Sequence, residues 1–84
     1  MYVDFLYAIY QLYYVKKDIL KKFGVRIREL RLEKKWSQEQ LAEETGFHRT
    51  YIGMVERGER NLSLKNVEIF ANVFRLSVSE LLKI

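Results

Sequence analysis

From about residue 17 onward the apolar positions recur every three or four residues, and short polar segments carrying serine or glycine separate the runs. This is the period of helices that bury one face. Ile19, Leu20, Phe23, Ile27, Leu30 and Leu32 give an amphipathic first helix from Lys17 to Lys35 with its charges outside. Gly24 lies within it and predicts a kink or break, because glycine in a helix interior costs about 1 kcal/mol relative to alanine. A second helix begins at Ser37, which forms a capping-box pair with Gln40: the hydroxyl accepts an orphan backbone N–H and the amide reaches back. It runs about two turns, turns Leu41 and Ala42 inward, and stops at Gly46, where a left-handed conformation costs glycine little. The third helix spans about Arg49 to Arg57, with Ile52 and Val55 inward and Arg49, Thr50, Gly53 and Met54 on the opposite side. After a loop from Glu59 to Leu62, Ser63 caps a fourth helix that ends near Arg75, with Val67, Phe70, Ala71 and Phe74 as its core face. Ser77 and Glu80 form another capping box and open a short last helix with Val78, Leu81 and Leu82. Trp36, at the first junction, plugs the edge of the core. The expectation is an all-α fold of five helices with short connections, in keeping with 4 glycines and no proline.

Residues 1–15, MYVDFLYAIYQLYYV, have another character. Five of the six tyrosines sit here, interrupted only by Asp4 and Gln11. The run is shorter than the roughly 18 to 20 residues of a membrane-spanning helix, and it has neither the basic start nor the small-residue cleavage site of a secretory signal. Periodicity allows a helix with a broad apolar stripe or a β-strand rich in Tyr and Val. The expected division is therefore an apolar, Tyr-rich arm (1–15) and a helical domain (16–84). The arm packs on its own domain or on a second subunit, unless the start codon belongs further downstream.

Composition narrows the function. An 84-residue chain has room for one modest core, and oligomerisation would help it. Without cysteine, and with His48 as the one histidine, disulfides and conventional zinc sites are excluded and a cytoplasmic location is expected. The net charge of +4 permits nucleic-acid binding without establishing it. Arg26, Arg28, Lys34 and Lys35 alternate with Glu29 and Glu33, which reads as a solvated helix face. No nucleophile–base pair and no phosphate-cradling glycine loop is present, so no enzyme, cofactor, metal or small-molecule ligand is expected.

Particular residues then carry a resemblance: Arg31, the run Ser37-Gln38-Glu39-Gln40-Leu41-Ala42, Gly46, Tyr51-Ile52, Val55-Glu56-Arg57-Gly58, and onward from Asn61-Leu62-Ser63 to Ser77-Val78-Ser79-Glu80-Leu81-Leu82. In register and without gaps from about Phe23 to Leu82, the chain resembles the lambda-repressor-like (Cro/C1-type, XRE) regulators. These include phage repressors and the controller proteins of restriction-modification systems, the nearest subtype. The resemblance implies a lambda-repressor-like five-helix domain with a helix-turn-helix at 37–57, and a homodimer that places the third helix of each subunit in successive major grooves of a palindromic operator in double-stranded DNA. Arg49, Thr50, Gly53 and Met54 would face the bases: Arg49 forked onto guanine O6 and N7, Thr50 and Met54 against thymine methyls, and Gly53 allowing close backbone approach. Gln38, Tyr51, Arg57, Arg60 and Asn61 would contact phosphates and fix the register. An Arg31–Glu56 ion pair would join the first and third helices. Pairing through the C-terminal helices would use Ile69, Val73, Val78 and Leu82, although the arm could instead cover Ile69 and Val73 within one chain.

Four departures from the family pattern stand out: the arm, the apolar Met54, His48 at a cap usually held by Ser or Thr, and Arg75 where Gly is common. Arg75 should strain its turn or lengthen the fourth helix. The competing function is that of an antitoxin or other protein-interaction module gripping a protein partner through the arm or the Ile69/Val73 patch. A membrane-tethered variant ranks third.

Overall fold

Nothing between Val3 and Lys22 is a glycine or proline, so a helix begun near the N-terminus has no local reason to stop. In the computed structural model, which describes the backbone of residues 2–84 and the side chains of residues 5–9 and 19–84, α1 spans Tyr2–Glu33. The first helix thus starts far upstream of Lys17, and the compositional boundary at Lys16 is crossed without a break. Of the two conformations open to the arm, helix is the one adopted. The described arm residues Phe5, Leu6, Tyr7 and Ile9 are 49–66% exposed, so they do not pack on their own domain. Ile19 and Leu32, counted above with the apolar face of the first helix, are exposed as well, because the core contacts only the stripe around Phe23, Ile27 and Leu30.

Four shorter helices follow: α2 (Gln38–Thr45), α3 (Arg49–Glu56), α4 (Leu64–Val73) and α5 (Val78–Leu81). Local chemistry sets most of their ends. Ser37 Oγ accepts from the Gln40 N–H at 3.0 Å while the Ser37 N–H donates to Gln40 Oε1 at 2.7 Å. Ser77 and Glu80 repeat the box, with both bonds at 3.0 Å, and Ser63 Oγ caps α4 through the Asn66 N–H at 3.1 Å. Gly46 closes α2 at φ 80°. Lys35 and Arg75 take the same left-handed conformation after α1 and α4, at φ 60° and 56°. Of the two outcomes foreseen for Arg75, strain is the one realised, since α4 already ends at Val73.

The core lies where α1, α3 and α4 meet. Ile27, Leu41, Ile52, Phe70 and Leu81 are fully enclosed, and Phe23 meets Phe70 edge-on at 6.1 Å between ring centres. Phe47 bridges α2 to this centre, 5.3 Å from Phe70 and 4.8 Å from Tyr51, and Trp36 stacks on Phe74 at 6.1 Å, closing the edge. Among the described residues no helix is long and apolar enough to cross a membrane.

Gly24 does not break α1. It is buried against the C-terminal end of α3, where a Cβ would stand 2.5 Å from the carbonyl oxygens of both Val55 and Glu56. The residue is there for close approach. Three residues earlier on α1 the same seam continues, since a Cβ on Gly58 (φ 74°) would lie 2.9 Å from Lys21 Cα. Arg26, read above as part of a solvated face, reaches the C-terminal helix instead. Its Nε donates to the Leu81 carbonyl at 3.2 Å and its Nη2 to that of Glu80 at 3.1 Å, adding side-chain donors at the carbonyl end of α5.

Candidate nucleic-acid interface

The third helix is fixed at its C-terminal end and bare at its N-terminal end. At the fixed end Arg31, 8% exposed, sends Nε to Glu56 Oε2 at 2.7 Å and Nη2 to Oε1 at 3.0 Å, a forked pairing of guanidinium and carboxylate. Its Nη1 donates to the Trp36 carbonyl at 2.8 Å, so one side chain joins α1, the turn into α2, and α3. Gln38, at the start of α2, adds Nε2 to Glu56 Oε1 at 3.1 Å. Gly24 and Ile27 share this stripe of α1 with Arg31, at spacings of three and four residues, and the whole stripe faces α3.

At the bare end Arg49 and Thr50 are exposed on the first turn of α3. His48 caps the helix with its ring: Nδ1 accepts the Thr50 N–H at 3.0 Å. This cap needs the Nδ1 lone pair, and it takes the place of the hydroxyl a Ser or Thr would offer. Met54 is half-buried. The placement of Gly53 on an open outer face needs correction, for it is buried under two side chains. A Cβ there would meet Arg57 Nη1 at 3.1 Å and Gln38 Oε1 at 3.6 Å, so the guanidinium folds back along the helix over the space that glycine leaves.

The residues assigned to phosphates are arranged around these helices. Gln38 lies at the N-terminus of α2; Arg57, Arg60 and Asn61 are exposed in the segment after α3. Tyr51 is half-buried between them. Its Oη accepts from Asn66 Nδ2 at 3.0 Å, which leaves the phenolic proton free to be donated, and the Arg60 guanidinium lies 5.3 Å from its ring centre. Arg57 Nε is paired with Glu59 Oε2, and that hydrogen bond, followed by the carboxylate's charge, holds the guanidinium pKa above its ordinary value. Asn66 and Glu59 were not among the residues expected at this site. No short-range motif links either to its partner, although Glu59 two residues from Arg57 across Gly58 was visible as an opposite-charge pair.

On the C-terminal side, Ile69, Val73 and Val78 are half-buried and Leu82 is 41% exposed. Val73 and Val78 pack against the core from outside, while the described arm residues Phe5, Leu6, Tyr7 and Ile9 are themselves exposed.

Comparison with known proteins agrees with this geometry. The helix-turn-helix family matches residues 27–81. Control protein C.SmaI of Serratia marcescens is 48% identical over 65 residues, covering 77% of both chains. The crystal structure of the restriction-modification controller protein C.AhdI from Aeromonas hydrophila superposes with a TM-score of 0.70 at 50% identity, over 74% of this chain and 94% of that one. A third similar structure is the restriction-modification controller C.Esp1396I, a tetramer in complex with its natural 35-base-pair operator; it has a TM-score of 0.68 and 37% identity and covers 76% of this chain and 88% of that one. These relatives are control proteins, not enzymes. The chain belongs to the helix-turn-helix family of DNA-binding transcriptional regulators, among the controller proteins of restriction-modification systems.

Proposed function

We propose that this protein acts as a homodimer on a palindromic operator, with α3 of each subunit in successive major grooves and Arg49 as the main base-reading residue. The observation that carries this reading is the asymmetry of α3, anchored through Glu56 and exposed at Arg49 and Thr50. The planar guanidinium of Arg49 suits guanine O6 and N7, Thr50 suits a thymine methyl or a base edge, and Met54 supplies an apolar contact beside them. Gly53 contributes as the floor for Arg57, not as a base contact. Gln38, Tyr51, Arg57, Arg60 and Asn61 flank the groove and act on phosphates. The similarity to a controller crystallised on its operator supports the same use of DNA here. Dimerisation through Ile69, Val73, Val78 and Leu82 is supported by their incomplete burial and by a two-fold operator's need for two recognition helices about 34 Å apart.

Operator selection from a random duplex pool, at two salt concentrations, tests the assignment. Arg49→Ala should weaken the best site by about 1–3 kcal/mol and relax preference at one base pair per half-site. Arg60→Ala should weaken all sequences alike and lower the salt slope by about one. An Arg49→Ala protein that selects the same consensus with the same stringency would move the reading role to Thr50 and Met54.

A further inference from the structure

Arg57 is held in place by the fold. Gly58 takes a left-handed conformation at φ 74°, and the chain then reverses so that the Glu59 N–H donates to the Met54 carbonyl at 2.9 Å. This reversal brings the Glu59 carboxylate onto Arg57 Nε, while Arg57 Nη1 lies over Gly53 beside Gln38. The backbone places the two side chains within reach of each other. Both side chains remain open to solvent, at 59% and 50% exposure, so an incoming polyanion can reach them. An exposed pair of this kind does little for the stability of the fold. Its weight falls on whatever else Arg57 must bind.

We propose that Glu59 is an internal competitor of DNA phosphate for Arg57: on the free protein its carboxylate occupies the anion position that a phosphate oxygen takes in the complex. The inference rests on the DNA-binding reading above. A guanidinium already paired with a carboxylate has fewer donors to offer, and a phosphate approaching it meets the charge of Glu59 as well. One cation is thereby withdrawn from the set whose phosphate contacts release counterions, which lowers affinity for any duplex and flattens its dependence on salt. Glu59 tunes affinity through Arg57 and touches no base.

The test is a double-mutant cycle of E59Q and R57A, read as affinity for a random-sequence duplex across a salt series. Thermal melts would confirm that these exposed substitutions leave the fold intact. E59Q alone should bind about fivefold more tightly at roughly 0.1 M salt, with a slope steeper by about one. In the R57A background the same substitution should give a clearly smaller gain, about twofold or less, with little change of slope, because only the direct repulsion between Glu59 and phosphate is then relieved. Equal gains in both backgrounds would overturn the proposal, since Glu59 would then act only through the general field of the surface. Unchanged binding by E59Q would also overturn it, and weaker binding would mean that the carboxylate positions Arg57 instead. If the wild-type chain bound no duplex, both this inference and the DNA-binding reading would fall; binding by wild type with an inert E59Q would remove this inference alone.

Discussion

Replacing Arg31 by methionine removes the charged group that pairs with Glu56 among the described residues, and the structure sets the size of the effect. The Arg31 and Glu56 side chains are 10% and 4% exposed. With charge centres roughly 4 Å apart and an effective dielectric near 20, their gross attraction is about 4 kcal/mol. Desolvation of the two ions offsets much of it, so the pair itself adds little net stability. Breaking it is another matter. In Arg31→Met the Glu56 carboxylate stays enclosed with, among the described residues, the 3.1 Å bond from Gln38, and the Trp36 carbonyl loses its 2.8 Å donor. An uncompensated buried charge costs about 3–5 kcal/mol. For a chain of this length that lowers the melting temperature by more than about 10 °C. Urea unfolding followed by circular dichroism, at one fixed protein concentration because oligomerisation shifts apparent stability, measures it. Arg31→Met/Glu56→Met should recover most of the loss, since apolar replacement of both partners is often neutral. A single variant within about 0.5 kcal/mol of wild type, or a double variant as unstable as the sum of the singles, would refute the reasoning.

Three further outcomes are expected. Gly24→Ala should destabilise by about 1–2 kcal/mol in urea titration despite alanine's advantage of about 1 kcal/mol in helix propensity, because the methyl would stand 2.5 Å from two backbone carbonyl oxygens; a gain in stability would show that α1 and α3 can separate at little cost. Arg75→Gly should raise stability by about 0.5–1 kcal/mol, since a non-glycine residue at φ 56° carries left-handed strain that outweighs the entropy glycine loses, and an unchanged midpoint would argue otherwise. The Glu80 carboxyl lies below its ordinary value of 4.5 because the Ser77 backbone N–H, then the Ser77 hydroxyl, and last Lys83 favour its charged form against burial. Its contribution is therefore complete above the unfolded-state value and is lost as pH falls through the folded one, so Glu80→Gln should flatten the fall in melting temperature between about pH 5 and pH 3, and an equally steep fall would remove Glu80 as a source.

The helices of the motif could be read from sequence because their ends are made by neighbours in sequence. Ser37 with Gln40, Ser63 with Asn66, and Ser77 with Glu80 bond across three residues, and Gly46 sets its own turn. The positions that misled are those whose reason lies elsewhere in the chain. Gly24 is an ordinary weak point of a helix until the carbonyls of residues 55 and 56 arrive against it. Arg26 looks like one more surface cation, and only the meeting of α1 with α5 makes it a cap. Gly53 falls on the outer side by helical arithmetic, which counts positions but not the fold-back of an arginine four residues on. The arm could not be assigned by period because Tyr and Val fit either conformation; the uninterrupted chain into residues 19–33 made it a helix.

These contacts also divide the recognition helix by function. Gly58 against Lys21, Gly24 against Val55 and Glu56, and Arg31 against the Glu56 side chain all fall on the C-terminal half of α3 or just beyond it. The N-terminal half carries Arg49 and Thr50 in solvent, held by the His48 cap and by Ile52 in the core. A helix clamped at one end and packed along one side enters a groove as a rigid body, with little conformational entropy left to lose on binding. Substitutions at the clamp would therefore reach DNA affinity only through the position of α3, whereas those at Arg49 would alter base preference with the fold unchanged. Arg57 belongs to both halves, because it caps the helix with its backbone, bonding the Gly53 carbonyl at 3.1 Å, and covers Gly53 with its guanidinium. On the proposed docking it sits where the scaffold ends and the DNA-facing surface begins, beside the Glu59 carboxylate that pairs with it.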